Sequence, residues 1–427
     1  GIRDGEWKQY YITGAPQAKY NYAEGKLHGE QFDYHQNGKE KIVSEFTNGK
    51  HNGYYREFNI TGKLSKEGWY VDGQAQQQWK LYAPDGSVSE DLYYLNDKLV
   101  DTVFLYSVEG DLIARNFFKD GDMQYESASN PRQEVYSFDI TKTAKYDIRF
   151  SDGKPLAKYE INCGMLRGDF ERFYPDGTTF NKFVYVGGLI HGPYKAFSPL
   201  GAEQQTASYS YGDPAGVWVY RNETGNPDQQ LRYIGGKIDS VLTAYYESGP
   251  LYFTAEYRGG ERHGVMKVFA PNGTRLVEKM YDAGQVAAVR IANKGGEFGE
   301  WMPMKSSMNV VAYYPNGTKA YDETYQNGLI TGVRRIWYPD GKLCKETTNL
   351  DGDYEGPFAE YYPNGKVCRK GQYRFDELEG IVEVFQENGQ PISVSNYKLG
   401  RRSGTTTFYS KGVKAREIVF YNGAPMK

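Results

Sequence analysis

The chain has only 3 cysteines and 5 histidines in 427 residues. It also lacks any run near the roughly 20 consecutive apolar residues that a membrane-spanning helix needs. Neither sign of charge prevails: 51 basic side chains face 54 acidic ones, for a net charge of -3. Without a block of Lys and Arg, nucleic acid is excluded as the main partner and membrane lipid is disfavoured. Aliphatic residues are scarce too. Setting Tyr aside and adding Gly leaves roughly 41% apolar residues, below the usual ~45–50%, so no large aliphatic core is expected. What the chain does have is 40 Tyr and 50 Gly.

The glycines are periodic. They recur at Gly5, Gly29 and Gly53, at Gly168, Gly192 and Gly216, and at Gly332, Gly356, Gly380 and Gly404, 24 residues apart within each group. Each start is followed nine residues later by a second Gly and, in most cases, eleven further on by a third. Sixteen units account for 384 of the 427 residues, which leaves little room for a catalytic domain. They fall into repeat blocks at 1–124, 144–287 and 308–427, of five, six and five units. The blocks are separated by segments 125–143 and 288–307 that leave the register. Each segment reads either as a decayed repeat or as a protruding loop.

The second glycine often follows Pro-Asn or Pro-Asp, as in Pro315-Asn316-Gly317 and Pro339-Asp340-Gly341. Proline presets φ and glycine accepts positive φ, so these predict type I hairpin turns closed by a Gly bulge. The third glycine is present in fourteen units, and Asp97 or Asp376 takes its place in the other two. Asp tolerates positive φ better than most residues, so a second turn is expected there. The segments between turns are six to eight residues long and rich in Tyr, Phe, Trp, Val and Thr, which predicts strands. The fold class expected is all-β: an elongated, twisted or superhelical single-layer antiparallel meander of 24-residue hairpins, with contacts mostly between neighbouring units.

Aromatic residues hold fixed places. Eight residues after the first turn glycine stand Tyr22, Phe46, Tyr70 and their equivalents, broken only by Ile161 and Asn349. Each is expected opposite the glycine that starts the next unit, a ring covering bare backbone. The third position of the unit is usually apolar (Trp7, Trp79, Trp218) and the sixth usually aromatic (Tyr10, Trp337). An odd spacing sends these to opposite faces. The seventh position is usually small or polar, but it is Tyr314, Tyr338 and Tyr362 in three consecutive units. One reading packs these rings on the following proline. The other makes them a surface row of amphipathic anchors for a ligand or partner. In segment 288–307, Phe298, Trp301 and Met302 cluster as a second candidate contact.

The Tyr-Tyr-Pro-Asn-Gly turns at 313–317 and 361–365, a Tyr eight residues on, and the Gly-x-x-x-Gly link resemble the bacterial variant of the MORN repeat. The resemblance covers about nine tenths of the chain. It implies a β-hairpin repeat protein used for binding or scaffolding, and an association with antitoxin components. Membrane and phosphoinositide binding, known for eukaryotic MORN proteins, does not fit the charge of this chain.

Chemistry-bearing clusters are few. His28, His191 and His263 share one phase before a unit-starting glycine, and no H-x-E or H-E-x-x-H spacing accompanies them. The acidic link Asp351-Gly352-Asp353-Tyr354-Glu355 lacks a full loop of oxygen ligands for calcium and reads as a solvated turn. Cys344 and Cys368 sit at one repeat position in adjacent units, roughly 9.6 Å apart. That is too far for a disulfide, and with Cys163 they are expected as free thiols. No enzyme, cofactor or metal is therefore expected. The expected function is a non-enzymatic protein-binding or scaffold role, with a toxin as the partner if the family association extends. The alternative is a glycan-binding surface or periplasmic protein that holds polysaccharide on exposed aromatic rows. The chain starts without Met, with Gly1 in the link-glycine phase, so upstream sequence is expected. Long Tyr-rich arrays suit the periplasm or cell surface of a bacterium, and the reading favours export.

Overall fold

The computed structural model describes residues 2–119, 121–130, 133–137, 143–149, 152–162, 165–293 and 295–426, with main chain alone for 122–137. Cys163 lies outside them. Among the described residues there is no helix. Strands run in three antiparallel meander sheets of 14, 17 and 12 strands. The first spans Gly5–Tyr10 to Gln133–Ser137, the second Ala144–Arg149 to Met302–Pro303, and the third Ser307–Tyr313 to Ala424–Met426. The sheets are open, and none closes into a barrel.

Two turns repeat. In the hairpin turn Gly317 N–H donates to Tyr314 O at 2.9 Å and Tyr314 N–H to Thr318 O at 2.8 Å, with Gly317 at φ 84°. This is a type I turn with its bulge glycine, as expected. The link turn carries two successive positive φ values, for example Asn48 at 53° and Gly49 at 84°. Asp97 at 65° and Asp376 at 64° take the glycine's place. Two left-handed residues in a row match the twist of the flanking strands. Link turns also stack. Gly49 N–H reaches Leu27 O, Gly73 N–H reaches His51 O and Gly352 N–H reaches Ile330 O, at 2.7–2.9 Å.

The aromatic of the second strand faces a different glycine from the one expected. Tyr22 pairs with Gly5, Phe46 with Gly29 and Tyr373 with Gly356, so each ring opposes the glycine that starts its own unit. The hairpin turn sets this register, because both residues lie at the far ends of the two arms it closes. Ring over bare backbone does occur elsewhere. A Cβ added to Gly68 would lie 2.0 Å from the Trp79 ring of the next unit.

First, third, fifth, sixteenth and eighteenth positions share one face, since Trp218 pairs with Leu231 and Gly216 with Tyr233. On this inner face rings form ladders: Tyr70 lies 4.9 Å from Trp79, and Trp218 lies 5.0 Å from Tyr209 and 4.8 Å from Tyr233. Trp79, Trp218 and Phe358 are buried. Sixth-position aromatics lie on the other face, where Lys182 sits 5.7 Å from Phe197 and Lys370 sits 5.8 Å from Phe385.

Backbone pairing is between neighbours, but the coil adds a second set of contacts that a straight array would lack. Hairpin turns of the first sheet rest on link turns of the third. Asn37 Nδ2 donates to Asp351 Oδ2 at 2.8 Å, 314 residues on, and Lys63 Nζ lies 5.1 Å from the Phe375 ring. Ser403 Oγ donates to Glu109 Oε1 at 2.8 Å, and Tyr421 OH donates to Asp111 Oδ2 at 2.9 Å. A near-constant offset of about eleven units is what a superhelix gives when one end of the coil passes alongside the other. The second and third sheets meet in the opposite order. Glu247 contacts Glu360, Glu223 contacts Arg402, and Pro199 contacts Arg416, so these two sheets face each other across a fold near residue 304.

Candidate binding cleft between the second and third sheets

Inward positions of the repeat are apolar or small in most units, and the cleft is where they change character. The third position is Arg334 where other units place Trp79, Trp218 or Phe358. The sixteenth is Lys279 and Glu323 where others place Leu92, Leu231 or Phe183. Lys279 and Glu323 are fully buried and meet at 2.7 Å. Glu323 also accepts from Tyr325 OH at 2.6 Å, and Arg334 donates to Tyr354 OH at 2.7 Å. Next along the cleft Lys345 pairs with Glu360 at 2.6 Å, and Glu360 accepts the Glu247 backbone N–H at 3.0 Å. Arg369 reaches Glu247 at 3.4 Å, and Arg402 pairs with Glu223.

The electrostatics follow from a cationic excess at the inner end. Burial pulls Lys279 below the usual lysine range, with Arg334 adding to the effect against Glu323. Burial pushes Glu323 up, but Lys279 and Arg334 outweigh it and leave the carboxyl lowered. Tyr354 is likewise raised by burial yet ends lowered, because Arg334 and Lys345 favour its phenolate. At the outer end the balance reverses. Burial raises Glu247 to about 7 despite Arg369, with Glu360 and Asp228 adding to it, and burial raises Asp228 as well.

Beyond this network the cleft opens into a cavity of about 410 Å³. Its walls carry Phe180, Tyr194, Tyr220 and Tyr397 together with Glu247 and Arg402. Glu247 Oε1 and Arg402 Nε are buried and have no hydrogen-bond partner among the described residues. Such an arrangement can hold a polar molecule by hydrogen bonds on one side and by ring faces on the other.

The candidates expected from the sequence lie elsewhere. Tyr314 and Tyr338 are not a surface row: they are 2% and 7% exposed, and Tyr362 is half-buried. Their hydroxyls donate to Trp337 O, Tyr361 O and Phe385 O of the next unit at 2.6, 2.7 and 2.9 Å. Nor is the row confined to three units. Tyr174 and Tyr246 make the same bond to Phe197 O and Phe269 O, and His35 reaches Phe58 O. A ring there spans one repeat step and ties each turn to its neighbour, which orients it along the array rather than outward. Phe298 and Trp301 do come together, joined by Arg290, which lies 5.5 Å from one ring and 4.6 Å from the other. Arg290 and Arg275 both bind the buried Glu278, at 2.5 and 2.7 Å. Met302 is half-buried against the core that includes Tyr314 and Tyr338. Cys344 and Cys368 are free and buried, and burial raises the Cys344 thiol to about 12. The inward Arg334, Lys279 and Glu323 were missed. Their signal was present as departures from phase, since the repeat serves as its own alignment.

The model of the MORN repeat variant matches residues 330–348, 354–374 and 378–399. These segments of the third sheet are similar to that repeat, and the 24-residue register that contains them runs through the other two sheets. No curated protein matches the chain. Among solved structures, a crystal structure of TcdB2-TccC3 matches at 10% identity and TM-score 0.15, over 97% of this chain and 24% of that one. The Photorhabdus luminescens Tc holotoxin pore matches at 9% and 0.14, over 97% and 26%. A eukaryotic initiation factor matches at 11% and 0.17, over 100% and 93%. The chain thus spans about a quarter of the toxin-complex chains it matches. Likeness at this level says nothing of activity.

Proposed function

We propose that the chain is a non-enzymatic binding or scaffold protein that recognises another protein along the outer face of its sheets. The observation that carries this reading is the recurrence of exposed apolar residues in one phase of the second and third sheets. Second positions Val217, Val241, Val333 and Ile381 are 37–62% exposed, and the residues that pair across this position include Trp69 at 41% and Phe117 at 41%. An apolar stripe repeated along a rigid sheet supports protein contact better than scattered single residues do. A toxin is the specific partner that the repeat family suggests, and binding without catalysis accords with an array that gives nearly all its length to hairpins. The test is in-cell crosslinking followed by reconstitution from purified components, comparing the native chain with a Val217→Asp, Val241→Asp, Ile381→Asp triple variant. A stoichiometric complex lost in the variant supports the reading. A complex that forms equally well with the variant would place the contact elsewhere.

A further inference from the structure

The cavity at the outer end of the cleft plays no part in outer-face recognition, yet it is built. We propose that it is a binding site for a neutral saccharide, with Glu247 and Arg402 as the groups that hold its hydroxyls. Three observations carry this. First, the buried charges of the cavity are already paired, Glu223 with Arg402 and Glu247 with Arg369, while Arg221 and Asp228 line it from half-buried positions and Arg401 from an exposed one. The buried charges therefore offer a charged ligand no unpaired partner of opposite sign. Second, the buried lining atoms without a hydrogen-bond partner among the described residues are one acceptor, Glu247 Oε1, on a side chain 3% exposed, and one donor, Arg402 Nε. Sugar hydroxyls both donate and accept, so one pair of them satisfies both atoms, whereas a purely apolar ligand would leave both unmet. Third, Phe180, Tyr194, Tyr220 and Tyr397 give the walls ring faces for the apolar side of a pyranose, and about 410 Å³ is of small-molecule size. Burial keeps Glu247 near neutrality, so its carboxyl also donates when protonated.

The inward Ser393 and Ser395 give the cavity its room. Both line it from the third sheet, and the sixteenth position that Ser395 occupies is Phe183 or Leu231 in other units. The repeat is thus emptied where the cavity stands.

The test uses the full chain and a panel of neutral monosaccharides and disaccharides built from glucose, galactose, mannose and N-acetylglucosamine. Glucuronate serves as the charged comparator, and a soluble neutral polysaccharide shows whether a free sugar or a chain end is preferred. Saturation-transfer NMR and calorimetry read the affinity. At least one neutral sugar is expected to bind, and Glu247→Gln and Arg402→Lys should each weaken it about tenfold or more. Ser395→Phe should abolish binding while the circular-dichroism spectrum stays native, and Leu95→Ser in the first sheet, where the side chain is exposed, should leave it unchanged. Absence of any neutral-sugar signal up to roughly 10 mM, preference for glucuronate, or full binding by a folded Ser395→Phe variant would overturn the proposal. Because none of these readouts involves the outer stripe, failure here leaves the protein-binding reading standing, and the converse also holds.

Discussion

The first sheet and the cleft between the second and third are built from the same 24-residue unit, yet they bury different chemistry. In the first sheet the inner face is a ladder of rings, with Tyr55, Tyr70, Trp79 and Tyr94 in edge and tilted contact, and its ion pairs are exposed, as in Lys19–Glu6 at 3.1 Å. In the cleft the same inner face holds Lys279, Glu323 and Arg334, fully or nearly fully buried. A sheet face open to solvent cannot desolvate a charge pair, whereas two faces brought together can, provided each charge finds a partner. The difference therefore marks where the coil folds onto itself. The largest expected effect tests this directly. Lys279→Met leaves Glu323 buried with its main partner gone and should cost about 3–5 kcal/mol, while a Lys279→Met, Glu323→Leu double variant should recover most of that. Lys19→Ala in the first sheet should cost less than about 1 kcal/mol. Because a long array need not unfold in one step, hydrogen exchange of the strand Arg275–Asp282 is the sharper readout beside urea midpoints. Equal losses at Lys279 and Lys19 would remove the distinction.

Glycines sharpen the same comparison, since the repeat uses them for two reasons. Gly317 has φ 84° with open space around its missing Cβ, so Gly317→Ala should cost about 1–2 kcal/mol through backbone strain alone. Gly68 and Gly371 have no positive φ, and a Cβ there meets Trp79 at 2.0 Å or Val382 at 2.9 Å. Gly68→Ala should cost about 1–3 kcal/mol by overpacking, and Gly371→Ala less, because methyl and ring edges yield more readily than the indole. Thermal midpoints in the order Gly371→Ala above Gly68→Ala are the expected outcome, and the reverse order would show that Trp79 is loosely held.

The repeat length, turns and all-β class were legible because turn chemistry is local. Gly273 and Gly365 need no knowledge of distant residues to demand positive φ. The pairing of Tyr22 with Gly5 rather than Gly29 was misread because spacing alone does not say which hairpin a strand closes. The contacts of Asn37 with Asp351 and of Glu223 with Arg402 were not legible, since they depend on curvature summed over many units. The site was legible only as a departure from phase: an Arg at the third position, a Lys and a Glu at the sixteenth.

Acidity should separate the two regions next. Burial raises Glu247 to about 7, and burial beside Asp376, Asp351 and Glu355 raises Asp353 to about 7. A carboxyl raised in the folded state opposes folding when ionised, so the penalty is full above pH 7 and fades as pH falls through 7. For Glu247 alone, stability should rise by at most about 1.4 kcal/mol between pH 8 and pH 6. Glu323 and Glu360 are lowered, against burial, by Lys279 and Arg334 and by Lys345 respectively. Their contribution is present above the ordinary Glu range and lost as pH falls below it, which sets the acid limit. Denaturant midpoints should peak on the acid side of neutrality, and Glu247→Gln should flatten the rise. A profile unchanged by that substitution would mean that the carboxyl is solvated in solution.

The smallest expected effect concerns the tyrosines that tie one turn to the next. Tyr338→Phe keeps the ring in place and removes only the hydroxyl that donates to Tyr361 O at 2.7 Å. The carbonyl loses that donor where the ring around it is 7% exposed, so the cost should be about 0.5–1.5 kcal/mol. Tyr11, at the open end of the first sheet, makes the equivalent bond to Tyr34 O but is only half-buried. Water can replace its hydroxyl there, and Tyr11→Phe should fall near the lower end of that range. Thermal midpoints and amide exchange at the neighbouring turn measure both. If the two substitutions cost the same, burial in the third sheet adds nothing to the hydrogen bond.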